Sequence, residues 1–136
     1  MPAGYSGRSL AAKLGLKPGQ NAYAAGMPES VAVEIEAELP GFRFAAEPSA
    51  ALDFAHVFTA SRAELEREVA RLRALLAPAG MLWVSWPKKA SKMPTDITED
   101  TIREIAFPHG LVDVKVCAVD GTWSGLKLVI RKALRP

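Results

Sequence analysis

The spacing of apolar positions changes several times along this chain, and each change predicts an element. In SRAELEREVARLRALL, residues 61–76, Leu65, Val69, Leu72 and Leu76 recur at helical spacing and form one apolar stripe. Ser61 stands before it as a cap with Glu64 three residues on, and Pro78 and Gly80 end it. Two near-continuous apolar runs flank this helix, LDFAHVF over 52–58 and MLWVSW over 81–86, and such runs suit strands buried on both faces. Toward the end, GLVDVKVCAVDGTWSGLKLVIRK takes period-two character on either side of Asp120-Gly121, which predicts a hairpin with strands near 111–119 and 124–131. Strict alternation puts Val112, Val114 and Val116 on one face of its first strand, with Asp113, Lys115 and Cys117 on the other.

The other elements are shorter. SGRSLAAKLG, 6–15, predicts a helix stopped by Gly15, and NAYAAG, 21–26, a strand of small residues. MPESVAVEIEAELPG fits two periods: Val31, Val33, Ile35, Ala37 and Leu39 alternate, while Val31, Ile35 and Leu39 also share one helical face. Its ends decide for a helix, because Pro28 suits a first turn, Glu29 suits the positive helix start, and Pro40-Gly41 stops the chain. FRFAA, 42–46, reads as a further strand. Thr98 caps a last helix carrying Glu99 and Asp100 in its first turn, with Ile97 and Ile102 as a hydrophobic staple.

Strands alternating with helices predict an α/β fold: a three-layer, Rossmann-like sandwich with a mainly parallel sheet and a C-terminal antiparallel hairpin. At 136 residues, a single domain over 1–136 is the expectation. Ligands in such sheets bind outside the carboxyl ends of the parallel strands. Those ends bring Gly26 to Pro28, Thr59 to Ser61, Pro87 to Lys89 and the hairpin tip, Asp120 to Ser124, to one edge.

Charge narrows what that edge can meet. The net charge of +2 is too small to draw nucleic acid or anionic membrane to the whole surface, so electrostatic recognition has to be local. The basic excess lies in the second half, residues 81–136, with nine basic and six acidic residues, and that half holds the WPKKASKMP loop with Lys88, Lys89 and Lys92. No apolar run approaches the ~18–20 residues of a membrane span, and the start lacks the pattern of a signal peptide, so a cytoplasmic location is expected. Cys117, the single cysteine, excludes an intrachain disulfide and an all-cysteine metal site, and its apolar strand suits an inert thiol.

His56 and His109 are far apart without metal-ligand spacing, so no metal is expected. His56, inside an apolar strand, reads as a core histidine with one nitrogen satisfied. Trp83 and Trp86 read as core as well, with Trp86 close enough to the edge to line a cleft too. Asp96, Asp113 and Asp120 predict an ion-pair network with Arg103, Lys115 and Lys127. No nucleophile elbow, phosphate loop or zinc-protease string occurs, and GYSG, with no strand before it, reads as an N-terminal arm.

GYSG, LGLKPG, WPKKASK with TDITED, and GLVDVKVCAVDGTWSGLK together resemble a family of small bacterial proteins classed as a domain of unknown function. The resemblance spans essentially the whole chain. It implies a Rossmann-like fold similar to the class I methyltransferase core, with no activity attached. Methyltransferases of that class place a glycine-rich turn after their first strand, so that the backbone can approach the cofactor. Here AAGMPES keeps only Gly26, and Pro28 lacks an amide donor. Glu47, about twenty residues past Gly26, stands where an acid could hold a ribose. The third strand ends VFTAS, without the Asn/Asp-Pro-Pro-aromatic motif of amino methyltransferases.

These readings lead to a non-catalytic or cryptic domain for a small anionic, nucleotide-like ligand. Its expected binding residues are Lys88, Lys89, Trp123, Ser124, Asp120 and Gly26, with no catalytic residue assigned. No cofactor is expected, although S-adenosylmethionine is the one the resemblance would imply. The alternative is a protein-interaction or homo-oligomer module built on the tryptophans and the hairpin. Nucleic-acid binding through Lys88, Lys89 and Lys92 is disfavoured by the small net charge.

Overall fold

The computed structural model describes residues 8–136, so GYSG and the first residues of the predicted N-terminal helix lie outside the described residues. Five strands, β1 (Ala22–Ala25), β2 (Leu52–Phe58), β3 (Leu76–Pro87), β4 (Leu111–Ala118) and β5 (Trp123–Ile130), form one sheet in the order β1-β2-β3-β5-β4. β1, β2 and β3 are parallel, and β5 runs antiparallel to both of its neighbours. β4 therefore points the same way as the first three strands, and the hairpin tip lies at their carboxyl edge.

Helices cover both faces. On one, α1 (Leu10–Leu14) and α2 (Glu29–Glu38) bury Leu10, Leu14, Val31 and Ile35 against Phe54, Phe58 and Trp83. On the other, α3 (Arg62–Arg73) and α4 (Glu99–Ala106) bury Leu65, Val69, Leu72, Ile102 and Ile105 against Val57, Val84 and Trp86. This is the predicted three-layer arrangement. Trp83 is fully buried, and its indole N–H donates to the Leu14 carbonyl at 2.9 Å, which pins α1 to the middle of the sheet.

Local signals explain most boundaries. The Ser61 hydroxyl accepts from the Glu64 amide. Thr98 and Thr101 form a reciprocal capping box, in which each hydroxyl accepts the other residue's amide N–H. In α2 the helical period prevails over alternation: Val31 and Ile35 are buried, whereas Val33 is 60% exposed.

Four expectations are corrected. FRFAA does not form a strand; only Ala45 bridges to Tyr23. Phe42 and Phe44 turn their rings onto each other at 5.2 Å, and Phe44 onto Phe54, so side-chain packing holds this segment. α3 ends at Arg73, and Leu76, the last apolar position of its stripe, instead begins β3 opposite Leu52. β3 thus starts five residues before Met81 and bulges over 77–80 before pairing Met81 with Phe54. Gly80 permits this, because a Cβ there would stand 2.4 Å from the Leu52 carbonyl oxygen. The hairpin strands end slightly earlier than expected, at Ala118 and Ile130, and the second begins at Trp123.

The fourth correction concerns the faces of β4. A bulge between Asp113 and Lys115 shifts the register, so that Asp113 pairs with Leu128 but Lys115 pairs with Lys127. Asp113 therefore lies on the α4 side, bonded to Arg103, while Lys115 sits over the Trp83 ring on the opposite side, the one Cys117 also packs against. Strict alternation fails at this one inserted residue.

Candidate functional site

The loop leaving β3 is fastened before it carries any chemistry. The Lys88 amide donates to the Thr122 carbonyl at 2.8 Å, which ties the strand end to the hairpin tip. A single tight helical turn, Lys89–Ser91, follows, in which the Ser91 hydroxyl donates to the Lys88 carbonyl at 2.7 Å and accepts from the Met93 amide. Lys92 closes the turn in the left-handed region at φ 59°. The returning segment is fixed to the start of α3: the Thr95 hydroxyl donates to the Ala60 carbonyl, and the Asp96 carboxylate accepts from the Arg62 amide.

Between these two fastened segments lies a cavity of about 800 Å³, within the ~300–1,000 Å³ typical of small-ligand sites. Trp86, Met93 and Ile97 give it apolar walls, and Lys88, Lys89, Lys92 and Arg103 line it as cations. Arg103 is engaged, with contacts of 2.8 Å to Glu99, 3.0 Å to Asp100 and 3.1 Å to Asp113. Its hydrogen bonds to Asp113 first, then to Glu99, raise its pKa further. Among the described residues, no ion pair engages Lys88, Lys89 or Lys92.

The six residues expected to bind ligand share the carboxyl edge but divide between its parts. Lys88 and Lys89 meet in the cavity, with Lys92. Trp123 lies on the α1–α2 side, its ring edge-on to Phe58 at 5.4 Å. Ser124 pairs with Trp86 in the sheet. Asp120 uses one carboxylate oxygen to accept the Thr122 and Trp123 amides, both at 2.8 Å, and so shapes the turn. Gly26 ends β1, beyond β2. Sequence reasoning did not place Ile97, Met93 and Arg103 on the lysines' cavity. The signal was present in Pro87 and Pro94, which bracket a short loop, followed at once by a capped helix that must return beside it.

His56 is fully buried, with Nε2 at 2.7 Å from the Ser85 hydroxyl, Nδ1 without a partner, and its ring stacked on Phe58 at 4.1 Å. Burial alone lowers its pKa from 6.5 to about 3, so it is a neutral core histidine. Burial raises the pKa of the half-buried Cys117 thiol, opposed by the nearby Lys13 and Lys115. Asp113 found the predicted Arg103, but Asp96 and Asp120 satisfy backbone amides instead of the predicted cations. No three His, Cys, Asp or Glu side chains cluster as metal ligands among the described residues, and no helix there is long and apolar enough to cross a membrane.

This sheet, parallel strands completed by a C-terminal antiparallel hairpin, and its helical layers define a methyltransferase-like Rossmann fold. No family model and no curated protein matches the chain. Among solved structures it is similar to a ribosomal-protein methylase of Lactobacillus delbrueckii subsp. bulgaricus, with TM-score 0.53, 16% identity, and 90% of this chain but 64% of that one covered. It is similar also to the magnesium protoporphyrin IX methyltransferase of Synechocystis, solved with bound SAM, with TM-score 0.57, 15% identity, and 89% and 74% of the two chains covered. A pericyclic reaction enzyme gives TM-score 0.57 at 10% identity, covering 90% of this chain and 39% of that one. What is shared at these identities is the fold, which hosts more than one chemistry.

The turn after β1 is where the family resemblance puts a cofactor's glycine-rich cradle. Gly26 has φ +70°, and the space a Cβ would need is closed by the Phe58 carbonyl oxygen at 2.5 Å. The cavity beside it is about 230 Å³, walled by Val57, Phe58, Glu64 and Arg67. Pro28 caps α2 without a side-chain hydrogen bond, and Glu47 is exposed two residues past the Ala45 bridge. The turn therefore carries a single glycine instead of a glycine-rich run, and its small cavity is the space it offers a ligand such as SAM.

Proposed function

We propose that this domain binds a small anionic ligand in the cavity between the lysine loop and α4, using a methyltransferase-like fold without methyl transfer. The observation that carries the reading is the meeting of three unpaired lysines in one cavity of about 800 Å³ beside Trp86 and Ile97. Lysines on a convex surface are ordinarily solvated. Here their backbone is held by the Ser91 and Thr122 hydrogen bonds, so less ordering remains to oppose binding.

The test is a panel of phosphates, citrate, adenine nucleotides and SAM, followed by thermal unfolding and calorimetry. A binding anion at a hundredfold excess over Kd should stabilise the fold by about 2.7 kcal/mol. K88A/K89A/K92A should abolish that response. A panel without response, or a response unchanged in the triple variant, rejects the reading.

A second reading is self-association through the hairpin, because β4 is an edge strand and Val114 and Val116 are exposed. Trp83 and Trp86 are buried and leave that interface to β4. Light scattering decides it: a monomer across the working concentration range excludes this reading.

A further inference from the structure

We infer that the ligand of the lysine cavity is a phosphate ester with an apolar organic part, an inference that rests on the anion-binding reading above. The argument is a count of unused hydrogen-bonding groups. Thr95 donates to the Ala60 carbonyl and accepts from the Ile97 amide. The Thr98 and Thr101 hydroxyls are committed to their capping box. Glu99 and Asp100 are drawn onto Arg103, whose fork is shared among three carboxylates.

The side chains left without any partner are the three lysines, each with three N–H donors and no acceptor, while Glu99 and Asp100 keep one oxygen each beyond the one turned to Arg103. The cavity therefore suits a ligand rich in acceptors and poor in donors. A terminal phosphate meets this with three strong acceptor oxygens and about −1.5 to −2 charge at neutral pH. A planar carboxylate has two oxygens and is best met by a free guanidinium fork, and the single arginine here is occupied.

The walls supply the second half of the inference. Trp86, Met93 and Ile97, with Pro87 and Pro94, present apolar surface beside the ammonium groups, and the other polar side chains on the wall, Thr95, Thr98, Glu99, Asp100 and Arg103, already hold partners in the protein. Inorganic phosphate would leave that surface wet. An ester whose organic part is aromatic or aliphatic would cover it, with binding gained in proportion to the apolar area removed from water.

Three probes separate the parts: phenyl phosphate, the aromatic dicarboxylate phthalate, and inorganic phosphate, titrated calorimetrically at pH 7.5. Phenyl phosphate is expected to bind about tenfold more tightly than phthalate, which matches its charge and ring. It should also exceed inorganic phosphate several-fold, and weaken about tenfold or more in K88A/K89A/K92A. The exposed-lysine variant K17A, outside the cavity, should bind as the parent does. Phthalate equal to phenyl phosphate overturns the phosphate assignment while leaving an anion site in place. Inorganic phosphate equal to phenyl phosphate overturns the apolar part. Phenyl phosphate binding that survives in the triple variant, or no binding by any probe, overturns the cavity reading itself.

Discussion

Protonating His56 in the folded chain means placing a cation between Phe58 and Trp83, where desolvation is the cause that shifts its titration. Its pKa falls from 6.5 to about 3. Between those values the unfolded chain binds more protons than the folded chain. The stabilisation is therefore complete above pH 6.5 and is lost as the pH falls toward the folded value. Linkage puts the loss at roughly 2 kcal/mol by pH 5 and about 4 kcal/mol by pH 3. The second figure approaches the lower end of the total stability of about 5–15 kcal/mol expected of a domain. The comparison protein is H56L/S85A, which removes the imidazole together with the hydroxyl it meets at 2.7 Å and so strands no buried partner. Urea unfolding followed by tryptophan fluorescence at pH 7 and pH 5 should show the parent losing about 2 kcal/mol more than the variant. Carboxylates such as Glu36, whose pKa is lowered by the Gly41 amide and Arg43, contribute to both proteins and cancel. Parallel losses in the two proteins would refute the assignment of a buried, neutral His56.

Gly26→Ala should cost at least about 2 kcal/mol, from the left-handed backbone and the approach to the Phe58 carbonyl, read as a lower urea midpoint with unchanged slope. Arg103→Met should lower the urea midpoint only slightly, and less in high salt, because Glu99 and Asp100 are solvated and the half-buried Asp113 carries most of the effect. Cys117 should react slowly with a disulfide reagent at pH 8 in the folded protein and rapidly in denaturant, since burial raises its thiol pKa; equal rates would show the thiol to be exposed.

The sequence made the layers legible because the rules that build them are short-range. Ser61 with Glu64 marks the start of α3, and Asp120-Gly121 marks the hairpin. The identity of α2 was decided by Pro28 and Pro40-Gly41 at its ends, where the internal pattern fitted two periods. The failures share a different cause, since each depends on a partner distant in sequence. Leu76 is apolar in either reading and joins β3 only because Leu52 lies opposite. FRFAA has strand propensity, yet its phenylalanines are captured by each other and by Phe54. The β4 bulge sits in an unbroken alternating string, and pairing with β5 alone reveals it. The lysine cavity belongs with these: its cations were visible in the string, but the Ile97 and Arg103 walls came only with the path of α4.

Sharing a sheet edge is not the same as sharing a site, and the pleat shows why. Trp86 and Ser124 face the α3–α4 side, whereas Trp123 turns to Phe58 on the other. Between the lysine cavity and Gly26 stands the end of β2, with the Thr59 amide bonded to the Ser85 carbonyl at 3.1 Å. The β1 end offers a cavity of about 230 Å³, whereas the lysine cavity is about 800 Å³ and holds three cations without an ion pair. The two regions therefore differ in what they can hold, although one fold builds both. The likeness to methyltransferases bears on the sheet as a whole, while the three lysines without an ion pair stand where β3 ends, beside the start of α4.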